Sequence, residues 1–398
     1  MTEPLPHFPP KPGGLYVHVP FCRRKCRYCD FYSVTDLARL PAFVDAVLAE
    51  MALVASRFPF PCDTLYFGGG TPSLLPPADV ARLIAAARTH FRLAADAEIT
   101  LEANPCTVTP ESLAAYRRAG VNRLSIGIQS FDPDQLRRLG RIHAPSAAVA
   151  ALQAARDAGF ANIGIDLIYG LPDQTEADWR WELERATALE PDHISAYLLT
   201  WAPGTPLRRD RRRGRVQPPS EAIAARLFDQ TFDTLAEFGY PAYETSNFAR
   251  SPEFRSRHNQ KYWQHAPYRG LGPAAHSFSP PERSWNHPSV RAYIATLRRG
   301  GTPIAGRETL GIVELTTEAM YLGLRRAAGI DAVEWRRRFG KDFDGMFADA
   351  LEMFRAEGWM ESAGPFRRLT PRGRRRMDGI VDWLAGEIQD ADFPESAD

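Results

Sequence analysis

The 398-residue chain is 44% hydrophobic and 24% charged, ordinary values for a globular protein with room for two or three cores. A formal net charge of +1 gives no global drive towards nucleic acid or an anionic membrane. No apolar run is long enough to span a bilayer, and the Pro-rich start "MTEPLPHFPPKPGG" lacks the apolar stretch of a signal peptide.

Taken in chain order, short apolar runs alternate with segments of 3.6-residue periodicity. The runs are "LYVHVP" from Leu15, "TLYFGG" from Thr64, "EITLEAN" from Glu98, "RLSIGIQS" from Arg123, "NIGIDLIYG" from Asn162 and "HISAYLLT" from His193. Between them lie amphipathic stretches such as "PAFVDAVLAEMALVASRF" and "SAAVAALQAARDAGF". Repeated βα units predict a parallel sheet covered by helices, either doubly wound or closed towards a barrel. Polar residues recur at the ends of these runs, and convergence of that kind favours an α/β fold of the partial, open (β/α)6 TIM type. The organisation expected is an N-terminal arm (1–13), the barrel (14–240), a linking region (241–310), a mostly helical, winged-helix-like C-terminal domain (311–388) and an acidic tail (389–398). The arginine-rich stretch "PLRRDRRRGRVQPP" has no interleaved aromatic residue and reads as a solvated loop rather than a nucleic-acid patch.

Three of the five cysteines, Cys22, Cys26 and Cys29, fall within eight residues after the first run, in "FCRRKCRYCDFYS". Cys62 and Cys106 have no ligand spacing and read as packing thiols. So uneven a set is not a disulfide framework, and a chain of this length needs none, which points to a reducing, cytoplasmic compartment. A zinc site completed by His18 or Asp30 is one reading of the cluster, although structural zinc usually takes four ligands in paired spacing. The other is a 4Fe-4S cluster, whose fourth iron three cysteines leave open to an external ligand.

"CRRKCRYC" resembles the CxxxCxxC motif of the radical S-adenosylmethionine superfamily, and its place after the first strand of a βα series matches that family's partial barrel. The resemblance implies a 4Fe-4S cluster on Cys22, Cys26 and Cys29, with S-adenosylmethionine chelating the open iron and cleavable to a radical by electron transfer. "GGGTP" (68–72) resembles the glycine-rich segment that holds the methionyl group, where bare backbone can approach a zwitterion. The resemblance is finer to the coproporphyrinogen-oxidase-like branch and covers nearly the whole chain. By motif position it implies that Tyr16, Tyr28, Gly69, Gly70, Thr71, Glu102, Gln129, Arg141 and Asp166 contact S-adenosylmethionine. Glu102 and Asp166 also stand in otherwise apolar strands, where a carboxylate without a partner is costly.

Two members of that branch fit. One is the oxygen-independent coproporphyrinogen III dehydrogenase, whose motif carries a further cysteine two residues past the third. The other is a haem-chaperone group, which resembles this chain in having Phe31 there. "RHNQKYW" (257–263) also resembles that group's HNxxYW haem-binding signature. If helical, it puts His258 and Tyr262 on one face and Asn259 beside Trp263 on the next. His276 in "GLGPAAHSF" is a weaker candidate. The chaperone reading implies haem as cargo, apo-haemoproteins as recipients, a cluster-dependent homodimer and attachment no closer than the periphery of a membrane.

Overall fold

The computed structural model describes Phe8 and residues 11–388. The acidic tail expected from Gln389 and most of the N-terminal arm lie outside the described residues.

All six apolar runs are strands: β1 (Gly13–Val19), β2 (Cys62–Gly69), β3 (Glu98–Ala103), β4 (Arg123–Gln129), β5 (Ile163–Tyr169) and β6 (His193–Leu198). Each pairs in parallel with the next, so sequence order is spatial order, as in a barrel wall and unlike a doubly wound sheet. Both faces of these strands are covered, which is why they read as near-continuous apolar runs. Most crossover helices open on proline in the first turn, as Pro77–Phe91, Pro110–Ala119, Pro133–Leu139 and Pro145–Asp157 do. Proline's missing N–H is no loss at that position, and its fixed φ pre-sets the turn. Thr109 closes a capping box at the start of Pro110–Ala119, and Gly120, at φ 109°, ends it.

The region expected as a link carries five further strands. β7 (Asn247–Ala249) returns antiparallel on β6, and β8 (Tyr268–Leu271) joins the other side of β1 in parallel. β9 (His276–Ser279), β10 (Glu282–Asn286) and β11 (Ile304–Thr309) continue from β8 as an antiparallel meander. The result is one eleven-stranded sheet, open between its edge strands β7 and β11. One hydrophobic core runs from Leu15 to Leu297 beneath the crossover helices. A second gathers Phe278 with residues 310–388, where helices pack on the three-stranded sheet of β12 (Ile330–Asp331), β13 (Met360–Ala363) and β14 (Phe366–Leu369). Salt bridges Arg325–Glu244 (3.2 Å) and Arg375–Asp229 (3.4 Å) tie this C-terminal unit to the barrel side, near the ends of the parallel strands.

Candidate functional site

One cavity of about 910 Å³ opens at the C-terminal ends of the parallel strands. Residues from β2 to β6, the cysteine loop and the C-terminal unit all line it, so the sheet curls round a single centre instead of leaving a lateral crevice.

The cysteine loop leaves β1 at Pro20 and is anchored by backbone. Val34 N donates to Pro20 O at 2.7 Å, and Cys22 N donates to Val34 O at 2.9 Å. Arg27 N donates to Leu139 O, and the Arg27 side chain pairs with Asp210. Cys22, Cys26 and Cys29 are free thiols and all three line the cavity. The Thr71 hydroxyl donates to Cys22 Sγ at 3.6 Å and Arg141 Nη1 to Cys26 Sγ at 3.7 Å, while burial pushes the Cys29 thiol up to about 11. His18 is no fourth ligand in this conformation. Its Nδ1 meets Tyr16 OH at 3.1 Å and its Nε2 meets Tyr32 O at 2.9 Å, so both ring nitrogens are engaged. Asp30 lines the cavity as a solvent-exposed side chain.

Two of the three glycines are dictated by geometry. Gly69 has φ 110°, and a Cβ there would sit 2.6 Å from the His18 ring. A Cβ on Gly70 would stand 2.6 Å from Phe21 O and 2.9 Å from Val19 O, inside the backbone of the cysteine loop. The triplet therefore lets β2 run directly against the loop, with Gly70 N donating to Val19 O at 2.8 Å.

The floor of the cavity is polar and carries both signs of charge. Glu102 accepts from Tyr66 OH at 2.9 Å and from Gly69 N at 3.1 Å. Burial pushes it up to about 7, with the charge of Asp166 adding to the effect and the two hydrogen bonds opposing it. Asp166 accepts from the Ser125 hydroxyl at 3.0 Å and is likewise raised by burial, against the pull of Ser195, Ser125, Arg123 and Arg141. These carboxylates thus have protein partners, which the sequence did not reveal. Gln129 sits at φ 74°, where β4 slips register against β5 between Gly127 and Gln129. A left-handed non-glycine residue at a bulge re-aims a side chain at a cost, a pattern common at ligand sites.

Of the residues expected at this site, Tyr28, Gly69, Gly70, Thr71, Glu102, Gln129, Arg141 and Asp166 line the cavity with the three cysteines. Tyr16 stands behind the wall, its ring stacked against those of Tyr66 and His258. Ser125 and Tyr66 were missed, although alternation with Gly127 and Gln129 in β4, and with Gly68 in β2, marks the same face.

The HNxxYW segment is the seven-residue helix Arg257–Trp263, capped by the Ser256 hydroxyl. His258 and Tyr262 do share a face, with Nε2 and the phenol 3.0 Å apart. That face turns into the protein. His258 is 1% exposed, its Nδ1 meets Thr64 Oγ1 at 2.8 Å, and its backbone N donates to Glu98 at 3.0 Å. Burial, then the charges of Lys261 and Arg123, press the imidazole down to about 3. Both ring nitrogens are taken, so the expected haem ligand presents no free nitrogen, and of the motif only Asn259 lines the cavity. Trp263 lies under the Arg325 guanidinium at 4.4 Å. His276 is exposed on β9 and stacks on Trp285.

Residues 16–186 match the radical SAM superfamily, and residues 314–376 match the HemN C-terminal domain. The chain is 37% identical to the haem chaperone HemW of Mycobacterium tuberculosis over 390 residues, covering 96% of this chain and 98% of that protein. It is 41% identical to the haem chaperone HemW of Escherichia coli over 268 residues, covering 67% and 70%. The solved structure of coproporphyrinogen III oxidase (HemN) from Escherichia coli, described as a radical SAM enzyme, superposes with a TM-score of 0.81 at 25% identity, covering 96% and 92%.

Proposed function

The chain belongs to the HemW family within the radical SAM superfamily, and from that premise we propose that it is a haem chaperone, binding haem and delivering it to apo-haemoproteins. The residues present suit the superfamily's cofactors. Three thiols open onto one cavity from a backbone-anchored loop, and His18, the histidine beside them, is spent on internal hydrogen bonds. Cys22, Cys26 and Cys29 would hold a 4Fe-4S cluster, and the side-chain-free backbone at Gly69 and Gly70 would admit S-adenosylmethionine beside it. When bound, the two supply a redox-active centre with an iron that an amino acid's amine and carboxylate can chelate.

This chain's own residues do the positioning. Thr71 and Arg141 orient the sulfurs of Cys22 and Cys26. Glu102 and Asp166 offer anionic acceptors, and Tyr28 and Gln129 shape the floor. His258 ties the HNxxYW helix to β2 through Thr64 and to β3 through Glu98, Tyr262 holds the ring's other nitrogen, and Asn259 carries the motif to the cavity.

Phe31 is the observation that favours the chaperone over the dehydrogenase. It stands where the dehydrogenase motif has its extra cysteine, it lines the cavity and it is 62% exposed. A phenyl ring there brings no thiol; it offers an apolar face to a ligand. A cytoplasmic location and a cluster-dependent homodimer complete the proposal. Among the described residues no helix is long and apolar enough to cross a membrane.

The test is anaerobic reconstitution of the cluster followed by haem titration in the Soret region, run beside a coproporphyrinogen III decarboxylation assay. Saturable haem binding with no decarboxylation is expected. Decarboxylation without stoichiometric haem binding would establish the dehydrogenase instead.

A further inference from the structure

The cavity has a second half that the cofactor residues do not use. At about 910 Å³ it lies near the top of the roughly 300–1,000 Å³ range of single-ligand pockets. The strand ends and the cysteine loop account for one side. The opposite side belongs to the helix Ile312–Arg325, the short helix Pro371–Arg374 and the residues just after it.

Apolar surface is left open on both sides: Phe31 belongs to the cysteine loop, Tyr197 and Leu198 to the end of β6, and Tyr321 to the C-terminal unit. Phe31, Tyr197, Leu198 and Tyr321 all line the cavity and are 62%, 42%, 45% and 37% exposed. Large apolar side chains gathered on one concavity mark a surface that something covers. Beside them stands a cation. Arg374 is half-buried, its guanidinium stacks on Phe232 at 4.6 Å, and among the described residues no carboxylate lies within ion-pair distance of it. Burial lowers its pKa, with the nearby Arg368 acting in the same direction and the charges of Asp233 and Glu361 opposing it. Its neighbour Arg375 is already committed to Asp229, and Arg325 to Glu244. Open apolar side chains with a spare guanidinium on the far wall suit a flat apolar ligand that carries a carboxylate at its edge.

We infer that haem sits in this half of the cavity, with a propionate on Arg374 and the phenol of Tyr321 facing the iron. The assignment rests on the proposed haem role and gives it a site other than His258. No histidine of the described residues lines the cavity. Of the phenols that do, Tyr66 donates to Glu102, Tyr169 is buried against Trp179, and Tyr197 belongs to the end of β6 on the cofactor side. Tyr28 lies on the cysteine side, in the field of Cys26 and Cys29. Tyr321 is exposed on the far wall. Tyrosine is an established axial ligand of ferric haem; its phenolic proton would pass to water as the Fe–O bond forms.

Full-length, cluster-reconstituted protein is titrated with iron(III) protoporphyrin IX and, separately, with its dimethyl ester, whose propionates are uncharged. Arg374→Gln is expected to weaken binding of the diacid about 10- to 100-fold and to leave ester binding as in the unaltered protein. The ester arm on unaltered protein needs no substitution to fold, and there the ester should bind more weakly than the diacid by a similar factor. Tyr321→Phe should remove the phenolate-to-iron charge-transfer band from the ferric spectrum. Equal affinities of Arg374→Gln and the unaltered protein for the diacid would overturn the site, and an unchanged spectrum in Tyr321→Phe would overturn the iron donor. No saturable haem binding by the unaltered protein would overturn the chaperone reading itself, and this assignment with it.

Discussion

Glu102→Gln separates what a buried carboxylate does for a ligand from what it does to the fold. Glu102 is held between Tyr66 OH and Gly69 N on the cavity floor, and burial raises it from 4.5 to about 7. If S-adenosylmethionine is received by the ionised form, affinity follows the ionised fraction. With a pKa of about 7 that fraction climbs roughly tenfold between pH 6 and pH 8, so Kd should tighten by about the same factor. The stability of the ligand-free protein runs the other way. A carboxylate raised on folding contributes stability that is fully present below pH 4.5 and lost as pH rises through 7. The displacement is worth about 3 kcal/mol at most. Isothermal titration of S-adenosylmethionine into reconstituted protein at pH 6, 7 and 8, beside thermal unfolding of the ligand-free chain, reads both. Glu102→Gln should flatten the binding profile and gain stability on the unaltered protein as pH rises. The ligand's own amine titrates in this range, which is why the comparison is between proteins. If the variant keeps the full pH dependence of Kd, the carboxylate is not the titrating group and the reasoning fails.

Cys26→Ser should abolish iron loading while leaving far-UV circular dichroism and the unfolding midpoint unchanged, because among the described residues the one side chain hydrogen-bonded to this sulfur is that of Arg141, at 3.7 Å; iron analysis showing a full complement would count against the ligand set. Gly70→Ala should cost about 1–3 kcal/mol and lower the cluster yield, since its methyl lands 2.6 Å from Phe21 O; an unchanged iron stoichiometry and melting point would contradict the close approach of β2 to the loop. His258→Ala removes a buried ring that joins Thr64 to Tyr262 and should destabilise the fold by about 2–4 kcal/mol with haem affinity kept within about twofold. Because the folded imidazole is depressed to about 3, its contribution is present above pH 6.5 and fades as pH falls towards 3, so the variant should be less acid-sensitive than the unaltered protein. A large loss of haem affinity at an unchanged melting point would return the ring to the role of ligand.

The parallel strands were legible because a strand covered on both faces must be apolar throughout, and "NIGIDLIYG" or "RLSIGIQS" has few other uses. The strand-end carboxylates were legible for the converse reason: Asp166 in such a run is expensive unless something meets it. β7 to β11 were not legible. They are three to six residues long, too short for a period to declare itself, and they form because β6 and β1 offer open edges to pair with. Helical spacing correctly put His258 and Tyr262 on one face, but periodicity says nothing about where a face points. Here it points at Thr64, more than 150 positions earlier in the chain, while the helix's first backbone N–H groups donate to Glu98. Arg374 and Tyr321 carried no local signal either, because only the docking of the C-terminal unit brings them to the cysteines.

That docking gives the cavity two ends of different character, and the difference can sort ligands. On the floor Glu102 and Asp166 lie among Arg123 and Arg141, so both signs of charge are present, which suits a zwitterion carrying an amine and a carboxylate. On the far wall Arg325 and Arg375 are answered by Glu244 and Asp229, and the one lining acid, Asp378, is exposed to solvent. What remains is the charge of Arg374 beside apolar rings. A dianion with an apolar body would meet the carboxylates of Glu102 and Asp166 on the floor, which oppose the attraction of Arg123 and Arg141. A zwitterionic nucleoside on the floor would leave Tyr321 wet on the far wall. Each misplacement gives up the term that makes the other end favourable, so two ligands can share one cavity without competing for the same half.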